Sequence, residues 1–144
     1  MSTSETTVAQ DWEVGHELVP FEFEVTPELN QQYLFAEEDY HERYLKGGPN
    51  GSGLVHPALL LNMSNPTRSP SYRLRENSGG LHAKEETWSL APAPVGARFQ
   101  INWTVVDTYE KRGRPYKVAE AVVSTVDGLE VMRRHVHETY TWRD

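Results

Sequence analysis

Phe21, Phe23 and Val25 alternate with Glu22 and Glu24, a period-two pattern that predicts a half-buried strand after Pro20. Thr26-Pro27-Glu28 then predicts a helix start. Thr26 can act as N-cap, Pro27 suits a position whose N–H would have no intrahelical partner, and Glu28 faces the positive end of the helix dipole. Leu29, Tyr33 and Ala36 give that helix a spaced apolar face. Four glycines and a proline make Lys46 to Gly53 a loop. From Val55 the apolar residues crowd together as Val55, Ala58, Leu59, Leu60, Leu61 and Met63, and Asn65-Pro66 stops the run. A short helix that is apolar on most sides is a buried helix.

Thr67 to Gly80 returns to Ser, Pro, Arg, Asn and Gly and reads as a mobile connection. The remainder reads as strands. Leu81 to Leu90 carries β-compatible residues, Phe99, Ile101, Trp103 and Val105 alternate with polar neighbours, and Tyr116 to Thr125 follows a turn at Lys111 to Pro115. Asp127-Gly128 is the strongest hairpin signal, with Leu129 to Trp142 returning antiparallel. The fold class expected is therefore α+β, a curved antiparallel sheet wrapped around one hydrophobic helix, because each element then buries its apolar face on the other. The first ten residues are mostly polar, so 1–15 is expected to be a flexible N-terminal segment and 16–144 a single domain.

Composition narrows the function classes. At 144 residues a single domain buries roughly 70% of its unfolded surface, enough for a core without staples. The chain has no cysteine, which excludes disulfides, thiolate metal sites and cysteine nucleophiles. Its 14 basic and 21 acidic side chains leave a net charge of -7 with no Lys/Arg stripe, so neither nucleic acid nor an anionic membrane is an expected partner. No apolar run approaches the ~18 to 20 residues that span a bilayer, and Met1 to Gln10 is too polar for a signal peptide, so a cytoplasmic location is expected. The sequence holds no P-loop, dinucleotide fingerprint, nucleophile elbow or zincin helix, and no cofactor or metal is expected.

Four stretches resemble the hot-dog fold, and within it the MaoC-like dehydratase group, particularly its N-terminal dehydratase domain. They are Phe21 to Glu28, Tyr33 to Asp39, Gly53 to Leu61 and Val106 to Tyr116, and together they reach across most of the chain after residue 15. The resemblance implies binding of an acyl thioester of coenzyme A or acyl carrier protein. It also implies a dimer, with itself or with a related hot-dog subunit, and a hydratase or dehydratase activity on the α,β double bond. In that family an Asp and a His five residues apart supply base and acid, with an Asn two residues beyond the Asp. Carried over, Asp39 takes the Asp position, His41 the Asn position and Tyr44 the His position. Tyrosine is a poor base at neutral pH but can donate a proton. Either His41 moves in beside Asp39 to share the acid and base roles, or the chain is a non-catalytic acyl-binding half that works with a partner. A hot-dog thioesterase is the third alternative.

The catalytic candidates are accordingly Asp39, His41 and Tyr44, set against the plain reading of residues 37–43 as one solvated helix end. Gly53 and His56 stand at the entrance of the buried helix, where His56 either contacts the thioester or caps the helix. Pro57 follows it where active hydratases tend to have glycine, and it removes a backbone donor. Arg112 and Arg114, with Lys111, form the one local basic cluster, which either meets the carrier's phosphates or decorates an exposed turn. Strand alternation puts His82, Lys84 and Glu86 on one face with Ala83 and Glu85 on the other. His135 and His137 share a strand face without a third metal ligand.

Overall fold

The computed structural model describes residues 7–143, apart from the side chain of residue 50. Its elements in chain order are β1 (Phe21–Glu24), α1 (Pro27–Glu37), α2 (Glu42–Lys46), α3 (Pro57–Met63), β2 (Ser78–Ser89), β3 (Arg98–Lys111), β4 (Arg114–Thr125) and β5 (Glu130–Trp142). The five strands form one antiparallel sheet in the order β1-β3-β4-β5-β2. Phe99, Ile101, Trp103 and Val105 of β3, with Ala121 and Val123 of β4, share a buried cluster with Leu59 and Leu60 of α3. The Trp103 indole N–H donates to the Ser64 carbonyl at 2.9 Å and ties the end of α3 to the middle of the sheet. Among the described residues, no helix is long and apolar enough to cross a membrane.

The start of α1 follows the local chemistry. Thr26 Oγ1 accepts the Leu29 N–H at 3.1 Å, and Pro27 occupies the first helical position. We expect Thr26→Ala to cost about 1 kcal/mol, read as a lowered denaturant midpoint with an unchanged slope. Of the expected face, Leu29 and Tyr33 pack against the core but Ala36 is exposed, and the fully buried residues are Asn30 and Leu34.

Other expectations are corrected by packing. The packed body begins before residue 16, since Ala9 and Trp12 are buried in the core and the Ala9 N–H donates to the Arg73 carbonyl; residues 1–6 lie outside the described part. Thr67 to Gly80 is pinned by the buried Ser69 and Ser71, which bond the Val19 carbonyl and N–H at 2.7 and 2.9 Å. A register shift between His82 and Lys84 turns β2 by one residue, so His82 shares a face with Glu85 and their side chains meet at 3.2 Å. The tight two-residue turn is Arg112-Gly113, both with positive φ (53° and 77°). The Asp127-Gly128 connection is longer, and only Gly128 there has positive φ.

Candidate functional site

Two helix starts converge on one side of the sheet. Glu38 ends α1 in the left-handed conformation (φ 52°), and the chain turns so that the Asp39 N–H bonds the Leu34 carbonyl. Asp39 Oδ1 accepts the His41 N–H at 3.2 Å. His41 caps α2, its Nδ1 accepting from the Arg43 N–H and from Arg43 Nε, each at 3.2 Å. The His41 ring is thus turned to Arg43, and only its backbone serves Asp39.

The ring beside Asp39 is His56. It caps α3, with Nδ1 accepting the Ala58 N–H at 3.1 Å, while Nε2 lies 3.1 Å from Asp39 Oδ2. Because Nδ1 is an acceptor, the neutral ring carries its proton on Nε2 and donates it to the carboxylate. The His56 N–H donates to Asn30 Oδ1 at 2.9 Å, and Asn30 Nδ2 donates to the Leu54 carbonyl at 3.1 Å. Asn30 therefore clamps the loop before α3 onto α1. The sequence reading passed over it, although it lies one helical turn before Leu34 on the same face.

His56 is buried, with 10% of its side chain exposed, whereas 40% of the Asp39 side chain meets solvent. The pair thus presents one reachable carboxylate backed by an inaccessible ring. The His41 N–H holds the Asp39 carboxyl below its ordinary value, with the His56 hydrogen bond and charge adding to this against partial desolvation. A carbon-detected NMR titration is expected to place the Asp39 midpoint below the ordinary 3.8, and a midpoint at or above that value would contradict the arrangement. Since the folded value is the lower one, the stability this group contributes is present above the unfolded-state value and is lost as pH falls through the folded one.

Tyr44 completes the cluster, its ring centroid 4.7 Å from that of His56 at an interplanar angle of 47°. Gly53 makes this possible: a Cβ there would stand 2.0 Å from the Tyr44 carbonyl oxygen. Tyr44 lines a cavity of about 300 Å³ with Arg43, Leu54, Pro57, Leu60 and Met132. It also lines a second cavity of about 350 Å³ with Asn30, Leu34, Phe35, Tyr40 and Gly53.

Arg112 and Arg114 are not part of this cluster. Arg112 lies in the β3–β4 turn and Arg114 opens β4, while the loop before α3 bonds Ala93 and Val95, just before the other end of β3. β3 has 14 residues, roughly 45 Å along the strand at ~3.3 Å per residue. His135 and His137 are engaged on the opposite face of the sheet, His135 with Glu120 at 2.9 Å and His137 with Tyr109 and Glu86 at 2.8 and 3.3 Å. Among the described residues, no group of three His, Asp or Glu side chains is placed to hold a metal ion.

No protein-family model and no curated protein matches the chain. Solved structures do. The R-hydratase PhaJ1 from Pseudomonas aeruginosa superposes with a TM-score of 0.71 at 10% identity, over 93% of this chain and 89% of that one. A hot-dog-like protein from Thermanaerovibrio acidaminovorans gives 0.63 at 15% identity, over 92% and 86%. The chain has the hot-dog fold. A MaoC-like dehydratase from Rhodospirillum rubrum is also similar, with a TM-score of 0.65 at 11% identity over 94% of this chain and 97% of that one. The structural neighbours of this hot-dog chain thus include an R-hydratase and a MaoC-like dehydratase, in line with the residue resemblance. Its central helix is α3, and the Asp39, Tyr44 and His56 cluster stands at that helix's entrance.

Proposed function

We propose that the chain binds an acyl thioester with its acyl group in the cavity beside α3, and adds water across, or removes it from, the α,β double bond. The observation that carries this reading is the reachable Asp39 carboxylate, backed by His56, whose ring packs against Tyr44 in the wall of a mostly apolar cavity. In the hydration direction the Asp39 carboxylate takes a proton from water as the water oxygen bonds the β-carbon. The π electrons move toward the α-carbon and thioester oxygen, and the Asp39 carboxyl returns a proton to the α-carbon. His56 Nε2–H holds the carboxylate in place and stabilises its ionised form between turnovers.

The developing charge on the thioester oxygen needs a donor, and the first turn of α3 has none to spare. Pro57 lacks an N–H, the Ala58 N–H goes to His56 Nδ1, and the Leu59 N–H goes to the His56 carbonyl. Tyr44, whose hydroxyl has no hydrogen-bond partner among the described residues and whose ring lines the cavity, is the donor we assign.

The same occupied donors favour a second reading, an acyl-binding subunit that needs a related hot-dog partner for turnover. The free outer edge of β2, with Leu81 and Trp88 exposed along it, is the surface we assign to pairing in either case. Incubation with an enoyl-CoA followed by mass analysis of the acyl group tests the activity. A gain of one water is expected, release of free thiol from a saturated acyl-CoA would instead identify a thioesterase, and a monomeric mass at micromolar concentration would argue against the pairing.

A further inference from the structure

Away from the Asp39 cluster, a partly buried carboxylate has no ion pair among the described residues. Glu138 on β5 accepts hydrogen bonds from two phenols, Tyr72 to Oε1 and Tyr140 to Oε2, the latter at 3.0 Å. Among the described residues no Lys or Arg pairs with it. Its two cross-strand partners are His82 and Lys117, but His82 Nε2 is turned to Glu85 Oε1 at 3.2 Å and Lys117 Nζ donates to the Trp12 carbonyl at 2.6 Å. Four positions back along the same strand, the buried Arg134 is neutralised by that same Glu85.

This carboxylate faces open space. Glu138, Tyr72 and His82 line a cavity of about 360 Å³ whose walls include Leu74, Val136 and Thr67. Gly80 keeps room for the polar end, because a Cβ there would stand 2.6 Å from Glu138 Oε1 and 2.9 Å from the Tyr72 hydroxyl. Two phenols need only an acceptor, and a neutral amide carbonyl would serve one of them. The full charge exceeds what the phenols require, and a partly desolvated ion without a counterion is unfavourable.

We propose that this cavity is a second ligand site, distinct from the Asp39 cluster, that takes a small organic cation of the alkylammonium class, with the ammonium on Glu138 and the alkyl chain against Leu74 and Val136. Each Glu138 oxygen has a lone pair left after accepting from its phenol, so an ammonium adds to the existing bonds without breaking them. Desolvation raises the Glu138 carboxyl above its ordinary value, against the two phenol bonds, and a bound cation would relieve that penalty.

The test is an amide NMR titration of the full chain with n-butylammonium chloride, with n-butanol as the neutral probe of the same shape. Saturable shifts centred on Gly80, Thr67 and Glu138 are expected, at least tenfold weaker for butanol and at least tenfold weaker for Glu138→Gln. Gly80→Ala, which keeps the carboxyl group but crowds it and fills the space before it, is expected to lose binding to a similar degree and serves if the glutamine variant does not fold. Shifts that never saturate, that scatter over the acidic surface, or that persist with butanol or in both variants would overturn the proposal.

Discussion

Replacing Asp39 with asparagine is expected to lower hydration of an enoyl thioester roughly 10²- to 10⁴-fold, the range that a positioned acid or base supplies. Asparagine keeps the size of the side chain, and its carbonyl oxygen can still accept from either the His41 N–H or His56 Nε2–H. It cannot take a proton from water. The Asp39 side chain is two-fifths exposed, so the amide leaves no buried charge behind and the thermal midpoint should move by little. A folded Asp39→Asn protein retaining more than a tenth of wild-type turnover would remove Asp39 from the mechanism.

The second large effect is structural and reaches the same site. Gly53→Ala is expected to destabilise the fold by about 1–3 kcal/mol, because the new methyl would meet the Tyr44 carbonyl oxygen at 2.0 Å and its carbon at 2.8 Å. Both atoms belong to backbone, which cannot rotate away as a flexible side chain would. Relief requires α2 to move off the loop before α3, and α2 carries Tyr44 and the Arg43 carbonyl that accepts the Leu54 N–H. Denaturant melts should show the lowered midpoint, and whatever protein folds should show weakened turnover. A midpoint within about 0.5 kcal/mol of wild type would mean that this approach is not tight in solution.

What could be read from the sequence was local. The Thr26-Pro27-Glu28 start of α1 is encoded within four residues, and the crowding from Val55 to Met63 identifies a buried helix without knowledge of its partner. The alternation of Phe99, Ile101, Trp103 and Val105 likewise states which face of β3 is covered. Asp39 was singled out through the family resemblance, but the ring that meets its carboxylate was not the one expected. His41 is two residues away and His56 is seventeen, yet loop closure brings in the distant ring while α2 formation uses the near one as a cap.

One further misreading shares that cause. Alternation along β2 fails at Ala83 because the register shifts there, so His82 and Glu85 meet across what the pattern assigned to opposite faces. That Arg112 and Arg114 lie apart from the Asp39 cluster is likewise hidden in sequence order, since the long β3 stands between. Asn30 was missed because a buried polar residue reads as a break in an apolar face until its two hydrogen-bond partners are in place.

The most direct test follows the conjugated-enoyl absorbance of short, long and branched enoyl-CoA substrates after addition of the purified chain, beside the Asp39→Asn variant. A saturable loss of absorbance with at least one substrate, abolished in the variant, is expected. No loss across the panel from folded protein, or a loss that the variant leaves unchanged, would contradict the assignment of this chain as a hydratase built on Asp39.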